Sequence, residues 1–538
     1  MPGGLLQLSA YGSQNEYLNG NPQMTFFKVV YKRFTNFSME SIKQNLEGPN
    51  ELDVNNKIKL QCKVPRNADL INKVFFTFNL PDIYSGYNPE SGQCYKFQWI
   101  KNIGTNIIDH VDIIIGGQLI DRQYGEWLNV WSELNVTQSQ KESYNYLIGN
   151  TSDIYDPENY PGNNGVYPTS TLDESLTSDP EFSGIDYLMI NNTYERCASI
   201  KGRRIYVPLS FWFCQNSGLA LPLISLQYHE IYINLELKSV SSLYTIIDTN
   251  RDSVNYGIRV KPNSVNIKEA INSFLLPGKI TEIYSSLTNP SDTYRGWGFE
   301  PALEINYIFL DVVERKKFAK ISHEFLITQV TRNQFLGVVG NKTLELILHH
   351  PVKNLVWTTK RNDMESFNIY NNYTNWFDED VDPHTMAWVN QIYNLNNQAG
   401  LDDSLVKNKI PSKSTSIYYY KNILKNAKLL FDGKDRISVK DNIYFNYLEP
   451  FNTSLVSPKE GIYSYSFGID NHKFQPSGSC NMSRIKKISL EVETNPTEKK
   501  FSLNENLQYQ YLYDINVYAV NFNILRIMAG MGGLSFSN

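Results

Sequence analysis

The stretch Ile113-Ile114-Ile115-Gly116-Gly117-Gln118-Leu119-Ile120-Asp121-Arg122 decides the fold, because its design returns as Leu429-Leu430-Phe431-Asp432-Gly433-Lys434-Asp435-Arg436. Each copy reads as an apolar strand, a tight glycine turn and an arginine. Each then runs into an aromatic amphipathic segment, Tyr124 to Leu134 in the first copy and Val439 to Phe451 in the second. A second echo follows. Asn216-Ser217-Gly218-Leu219-Ala220-Leu221-Pro222-Leu223 leads into Ile224 to Leu237, as Pro476-Ser477-Gly478-Ser479-Cys480-Asn481-Met482-Ser483 leads into Ile488 to Val492. Two degenerate copies of one β-rich unit describe an object that tiles, since duplication doubles the contact directions one subunit offers.

Working outward, strands dominate. Val74, Phe76, Phe78 and Leu80 alternate with Phe75, Thr77 and Asn79, placing an apolar row on one face. The same period returns in Ile107 to Ile115, in Leu344, Leu346 and Leu348, and in Ile488, Leu490 and Val492. Between Ile224 and Leu237 the apolar phase switches near His229, which predicts a bulge or a bend between sheets. Helical signals are short. Tyr124, Trp127, Leu128, Trp131 and Leu134 predict a helix over 124–135, and Val439, Ile443, Tyr444, Tyr447 and Leu448 form the matching stripe, each closing one end of its own sandwich.

At 538 residues the chain fits two domains of about 200 to 250 residues. The 36 Tyr and 27 Phe favour strands, where flat rings pack across a pleated surface. A net charge of -5 with 20% charged residues excludes a global attraction to nucleic acid or anionic lipid. Cys62, Cys94, Cys197, Cys214 and Cys480 form no CxxC pair, so reduced thiols are expected. No signal peptide or membrane span is expected, because no apolar run approaches about 18 residues.

Residues 1–24 read as a polar N-terminal arm, and 25–240 as the first unit, with an insertion at about 137–199. Residues 241–294, broken by Pro262, Pro277, Gly278 and Pro290, read as a linker; 295–538 reads as the second unit, with an insertion at about 360–428. The first insertion separates the paired echoes of the first copy only. This accounts for the wider gap between Gly117 and Gly218 than between Gly433 and Gly478.

The chain resembles the major capsid proteins of the nucleocytoplasmic large DNA viruses. The resemblance is carried by Gly3-Gly4-Leu5-Leu6-Gln7-Leu8, Asn21-Pro22-Gln23-Met24-Thr25-Phe26-Phe27-Lys28, Gly116-Gly117-Gln118 through Arg122, Phe211-Trp212-Phe213-Cys214 through Glu230, Gln475-Pro476-Ser477-Gly478, and Asn523-Ile524-Leu525-Arg526 through Gly533. These blocks run from end to end in the family's order, while the insertions match nothing in it. The resemblance implies an all-β fold of two tandem eight-stranded jelly-roll sandwiches with short helices and long loop insertions. It further implies a homotrimer that acts as a pseudo-hexameric capsomer in an icosahedral shell. The partners implied are neighbouring capsomers and minor and penton proteins, in a virion assembled in the host cytoplasm. No direct contact with nucleic acid is expected.

No catalytic, cofactor-binding or metal-ligating residue is assigned, and the chain is expected not to be an enzyme. No nucleophile motif, P-loop or GxGxxG fingerprint occurs. Asp378, Glu379, Asp380, Asp382 and His384 lack the glycine and distal glutamate of a calcium loop and read as a solvated loop tip. His349 and His350 are adjacent, so in a strand they face opposite ways and share no ion. Asn150, Asn191 and Asn372 are the insertion sequons that outer-loop glycans would use. Two alternatives are a minor capsid component, separated by copy number in particles, and a carbohydrate-binding β-sandwich protein, separated by glycan binding of a monomer.

Overall fold

The computed structural model describes residues 3–168 apart from 86, 89–92 and 164; 187–275 apart from 191–192, 197, 249–258, 264–265 and 267–268; 296–376; 379; and 420–536 apart from 498 and 502–507. Eight principal strands form the first unit: β1 (Phe37–Asn45), β2 (Ile58–Lys63), β3 (Leu70–Asn79), β4 (Ile108–Ile115), β5 (Gln118–Tyr124), β6 (Arg204–Pro208), β7 (Ile231–Leu237) and β8 (Ala302–Leu310). Eight form the second: β9 (His323–Val338), β10 (Asn341–Leu346), β11 (Pro351–Arg361), β12 (Leu424–Phe431), β13 (Lys434–Asp441), β14 (Ile462–Ser466), β15 (Ile488–Thr494) and β16 (Tyr513–Met528).

The order within the sheets is the same in both units. The first unit pairs β1-β8-β3-β6 in one sheet and β2-β7-β4-β5 in the other; the second pairs β9-β16-β11-β14 and β10-β15-β12-β13. Every one of these pairs is antiparallel, and the eighth strand always inserts between the first and third. That is the double-sheet jelly roll, written twice.

Strand β8 corrects the expected boundary at residue 295. Ala302 to Leu310 pair with Asn45 to Phe37 on one side and with β3 on the other, so this strand completes the first sandwich. Its alternation of Leu303, Ile305 and Tyr307, all fully buried, shows that it packs a core but not which core. The second set of strands therefore starts at His323, after the helix Val312–Lys320.

Each sandwich has its own apolar interior. Phe76, Phe78, Ile113, Ile233 and Trp212 belong to the first; Leu344, Leu355, Trp357, Leu490 and Val517 belong to the second. Both repeat turns need left-handed backbone at two successive positions, Gly116 (φ 57) with Gly117 (φ 83), and Asp432 (φ 49) with Gly433 (φ 79). Two positive φ values match the right-handed twist of the strands that such a turn joins. A Cβ on Gly116 would also lie 2.2 Å from Nδ1 of His229.

Three further expectations are revised. The phase switch near His229 is the end of a 3-10 turn, Leu223–Ser225, and an irregular link, with β7 beginning only at Ile231. Residues before it follow no strand period because they are not in a strand. His349 and His350 lie in the turn between β10 and β11 rather than in a strand, with ring centroids 6.5 Å apart. The N-terminal arm contains short helices at Gly3–Ser9 and Glu16–Asn19, which bury no residue.

Candidate functional site

A polar and aromatic contact joins the two sandwiches where they meet, and it is built from the first repeat motif. After β5, helix α1 (Gly125–Asn135) begins, as its three- and four-residue spacing predicts. Its apolar side chains divide: Leu128 packs into the interior of its own sandwich, as expected. Trp127, Val130 and Leu134 pack instead on Val356 of β11, Ile462 of β14 and Tyr518 of β16, the outer face of the second unit's sheet. The Trp127 and Tyr518 rings lie 5.2 Å apart.

Polar groups fix the register of this contact. Glu126, in the first turn of α1, accepts hydrogen bonds from Oγ1 of Thr358 (2.8 Å) and Nδ2 of Asn516 (2.7 Å), and the Lys360 ammonium is 3.6 Å away. Burial drives the Glu126 carboxyl upward, but Lys360 and these hydrogen bonds outweigh it and hold the group below its ordinary value. Nearby, burial and the Lys360 charge depress the Lys238 amine to about 8, and its Nζ lies 3.9 Å from the centroid of the Tyr370 ring. Beside α1, Arg332 of β9 lies 3.7 Å over the Tyr124 ring.

Asp121, on β5, is 3% exposed and accepts a hydrogen bond from the backbone N–H of Val330 on β9 (3.0 Å) and one from Nε2 of Gln123 (3.0 Å). Its neighbour Arg122 turns the other way and grips Asp112 through two bonds, 2.7 and 2.6 Å. Burial pushes the Asp121 carboxyl up to about 7 against the hydrogen bonds it accepts. The folded chain thus keeps a proton that the unfolded chain, near 3.8, has released, so this group's contribution to stability is full below about pH 4 and falls as pH rises to about 7. At about 1.4 kcal/mol per pKa unit, a rise from 3.8 to about 7 makes the loss of order 4 kcal/mol. Asp121→Asn is expected to flatten the stability profile between pH 4 and 7, read by denaturant titration at several pH values. An unchanged slope would assign the titration to another group.

The C-terminal segment adds a second clasp. The Tyr228 backbone N–H donates to the carbonyl of Gly530 (2.9 Å), the His229 ring is 2.8 Å from the carbonyl of Gly532, and the Leu534 N–H donates to Oε1 of Gln118 (3.2 Å). The glycine-rich end of the chain thus lies on the first unit's repeat turn.

The structure also places the other singled-out residues. Asp378, Asp380, Asp382, His384, Asn191 and Cys197 lie outside the described residues; Glu379 accepts from Lys459 Nζ at 3.0 Å. Asn372 is 4% exposed, with its amide bonded to the Trp376 carbonyl and its Oδ1 to Thr374, so this sequon is too buried to carry a glycan. Cys62, Cys214 and Cys480 are free thiols. Asp109, His110 and Glu236 converge as metal ligands would, but the Lys57 ammonium occupies the cluster, 2.9 Å from Asp109 and 3.6 Å from Glu236. A cleft of about 160 Å³ lies between the units, edged by Trp131, Trp212 and Phe474. It is smaller than ligand pockets of roughly 300 Å³ and above, so it does not favour the carbohydrate-binding alternative.

Two sandwiches with one strand order define a double jelly-roll protein. A family model described as "Major capsid protein N-terminus" matches residues 25–270, and "Large eukaryotic DNA virus major capsid protein" matches residues 314–533. The major capsid protein of Phaeocystis pouchetii virus is 32% identical, and that of Paramecium bursaria Chlorella virus 1 is 30% identical, each over 100% of both chains. The crystal structure of PBCV-1 VP54 superposes with a TM-score of 0.61 at 26% identity, covering 96% of this chain and 100% of the other. The chain belongs to the major capsid proteins of large eukaryotic DNA viruses, a structural family that forms the virion shell.

Proposed function

We propose that three copies of this chain form a pseudo-hexameric capsomer that paves an icosahedral shell, and that the protein works by shape without catalysis. The observation that carries this reading is the identical strand order of the two sandwiches, which gives one chain two equivalent lobes. Three chains then present six lobes, so a threefold object packs hexagonally. Minor and penton proteins meet the capsomer at its margins, the two insertions cap its outer surface, and assembly takes place in the host cytoplasm. Glycans, where attached, use insertion sequons other than Asn372.

The arm, residues 1–24, is proposed to order against neighbouring shell components, since none of its described residues, 3–24, is buried. Deleting it is expected to leave the melting temperature unchanged while lowering the yield of closed particles. Full particle yield from the deletion would reject the arm's role. Quantifying polypeptides in purified particles tests the whole reading: the chain is expected to be the most abundant shell component, and a low copy number would favour the minor-component alternative.

A further inference from the structure

The two copies of the strand–turn–helix motif are covered very differently. In the first, β5 and α1 are packed beneath the second unit, with Val130 fully buried and Leu134 5% exposed. In the second, a π turn (Tyr444–Leu448) and an α turn (Glu449–Thr453) follow β13 as α2, residues 444–453. The helical apolar spacing is preserved: Trp127, Val130, Trp131 and Leu134 correspond to Tyr444, Tyr447, Leu448 and Phe451. Yet Tyr447 is 42%, Leu448 49% and Phe451 79% exposed, and β13 is exposed along most of its length. Phe445 and Tyr444 pack with Trp357 in the segment's own sandwich, as expected, while most of its stripe faces outward.

The receiving surface is duplicated as well, and its edge strand is exposed. In the second unit, the outer face of β9-β16-β11-β14 receives α1. Its counterpart in the first unit is the outer face of β1-β8-β3-β6, on which edge strand β1 is exposed at Phe37 through Ser41. Ser41 and Lys43 lie on that outer face, because Ile42 between them pairs with the fully buried Ile305.

We infer that α2 of one copy docks on the outer face of β1-β8-β3-β6 of a second copy, reproducing between chains the contact that α1 makes within one. The inference deepens the self-assembly proposed above and rests on it. The contact is heterologous: each copy offers one donor helix and one receiving sheet, and such contacts close into a ring when the rotation per step allows. Three contacts within chains and three between them make six equivalent steps.

The heterologous arrangement gives a test that a merely sticky patch would not satisfy. Tyr447→Asp/Phe451→Asp breaks the donor alone, and Ser41→Arg blocks the receiver alone; all three side chains are exposed, so both variants are expected to keep the wild-type melting temperature. By light scattering, each variant alone is expected to lose the trimer. An equimolar mixture is expected to give heterodimers that go no further, since one intact donor then meets one intact receiver. Wild-type trimers together with fully trimeric variants would overturn this inference and leave the trimer reading standing. Variants that lose the trimer but form no heterodimer when mixed would overturn the donor–receiver pairing. A wild-type chain that is monomeric would sink the parent reading itself.

Discussion

Arg361→Leu is expected to destabilise the second sandwich by about 3–5 kcal/mol, because it removes one partner of a buried, doubly hydrogen-bonded ion pair. Arg361 and Asp363 are 1% and 3% exposed, and the guanidinium grips the carboxylate through two bonds, 2.9 Å from Nε and 2.6 Å from Nη2. The same side chain donates to the Asn375 carbonyl (2.9 Å) and lies 3.7 Å over the Tyr511 ring, so it ties the segment after β11 to the sheet. For a domain of this size the melting temperature should fall by roughly 10 °C. Arg361→Leu/Asp363→Leu should recover much of the loss, since removing both charges relieves the desolvation that neither survives alone. A single variant that melts with the wild type would show the pair to be dispensable.

Trp127→Ala should have a comparable cost in a different place. It empties a nearly closed site between the sandwiches, and truncating a buried tryptophan costs about 3–5 kcal/mol. Trp127 is 3% exposed and belongs to the cluster that joins α1 to β11, β14 and β16. Neither interior loses an atom, so the loss falls on the coupling between units. Calorimetry is expected to resolve two unfolding transitions in the variant where the wild type shows one. A single transition, shifted or not, would mean that the other contacts suffice to couple the units.

The fold was legible wherever a residue's role is local. Gly116-Gly117 and Asp432-Gly433 announce their turns, because few other residues tolerate two successive left-handed conformations. The stripe from Trp127 to Leu134 announces its helix for the same reason, as spacing alone sets which side chains share a face. What stayed hidden is which surface each face meets. Leu303, Ile305 and Tyr307 alternate as any core strand does, so nothing local assigns β8 to the first sandwich rather than the second. The stripes of α1 and α2 share one spacing, yet one is buried and the other largely bare.

The contact between units was the least legible part. Glu126 in a helix's first turn reads as an ordinary acid favourably placed on the helix dipole. Only the approach of Thr358 and Asn516, more than 200 residues away, makes it a buried staple. Asp121 and Arg122 look like a pair, but the chain sends them to different partners, Val330 and Asp112. The one long-range feature that the sequence did expose is the repeat itself, since comparing two copies reveals a shared design that neither shows alone.

The central claim is that one chain carries two equivalent lobes and therefore completes a six-lobed object as a trimer. Light scattering on the purified protein tests it most directly: with a chain of 62.0 kDa, three copies give 186 kDa. That mass is the predicted result, and a species that remains at 62.0 kDa at assembly concentrations would contradict the account.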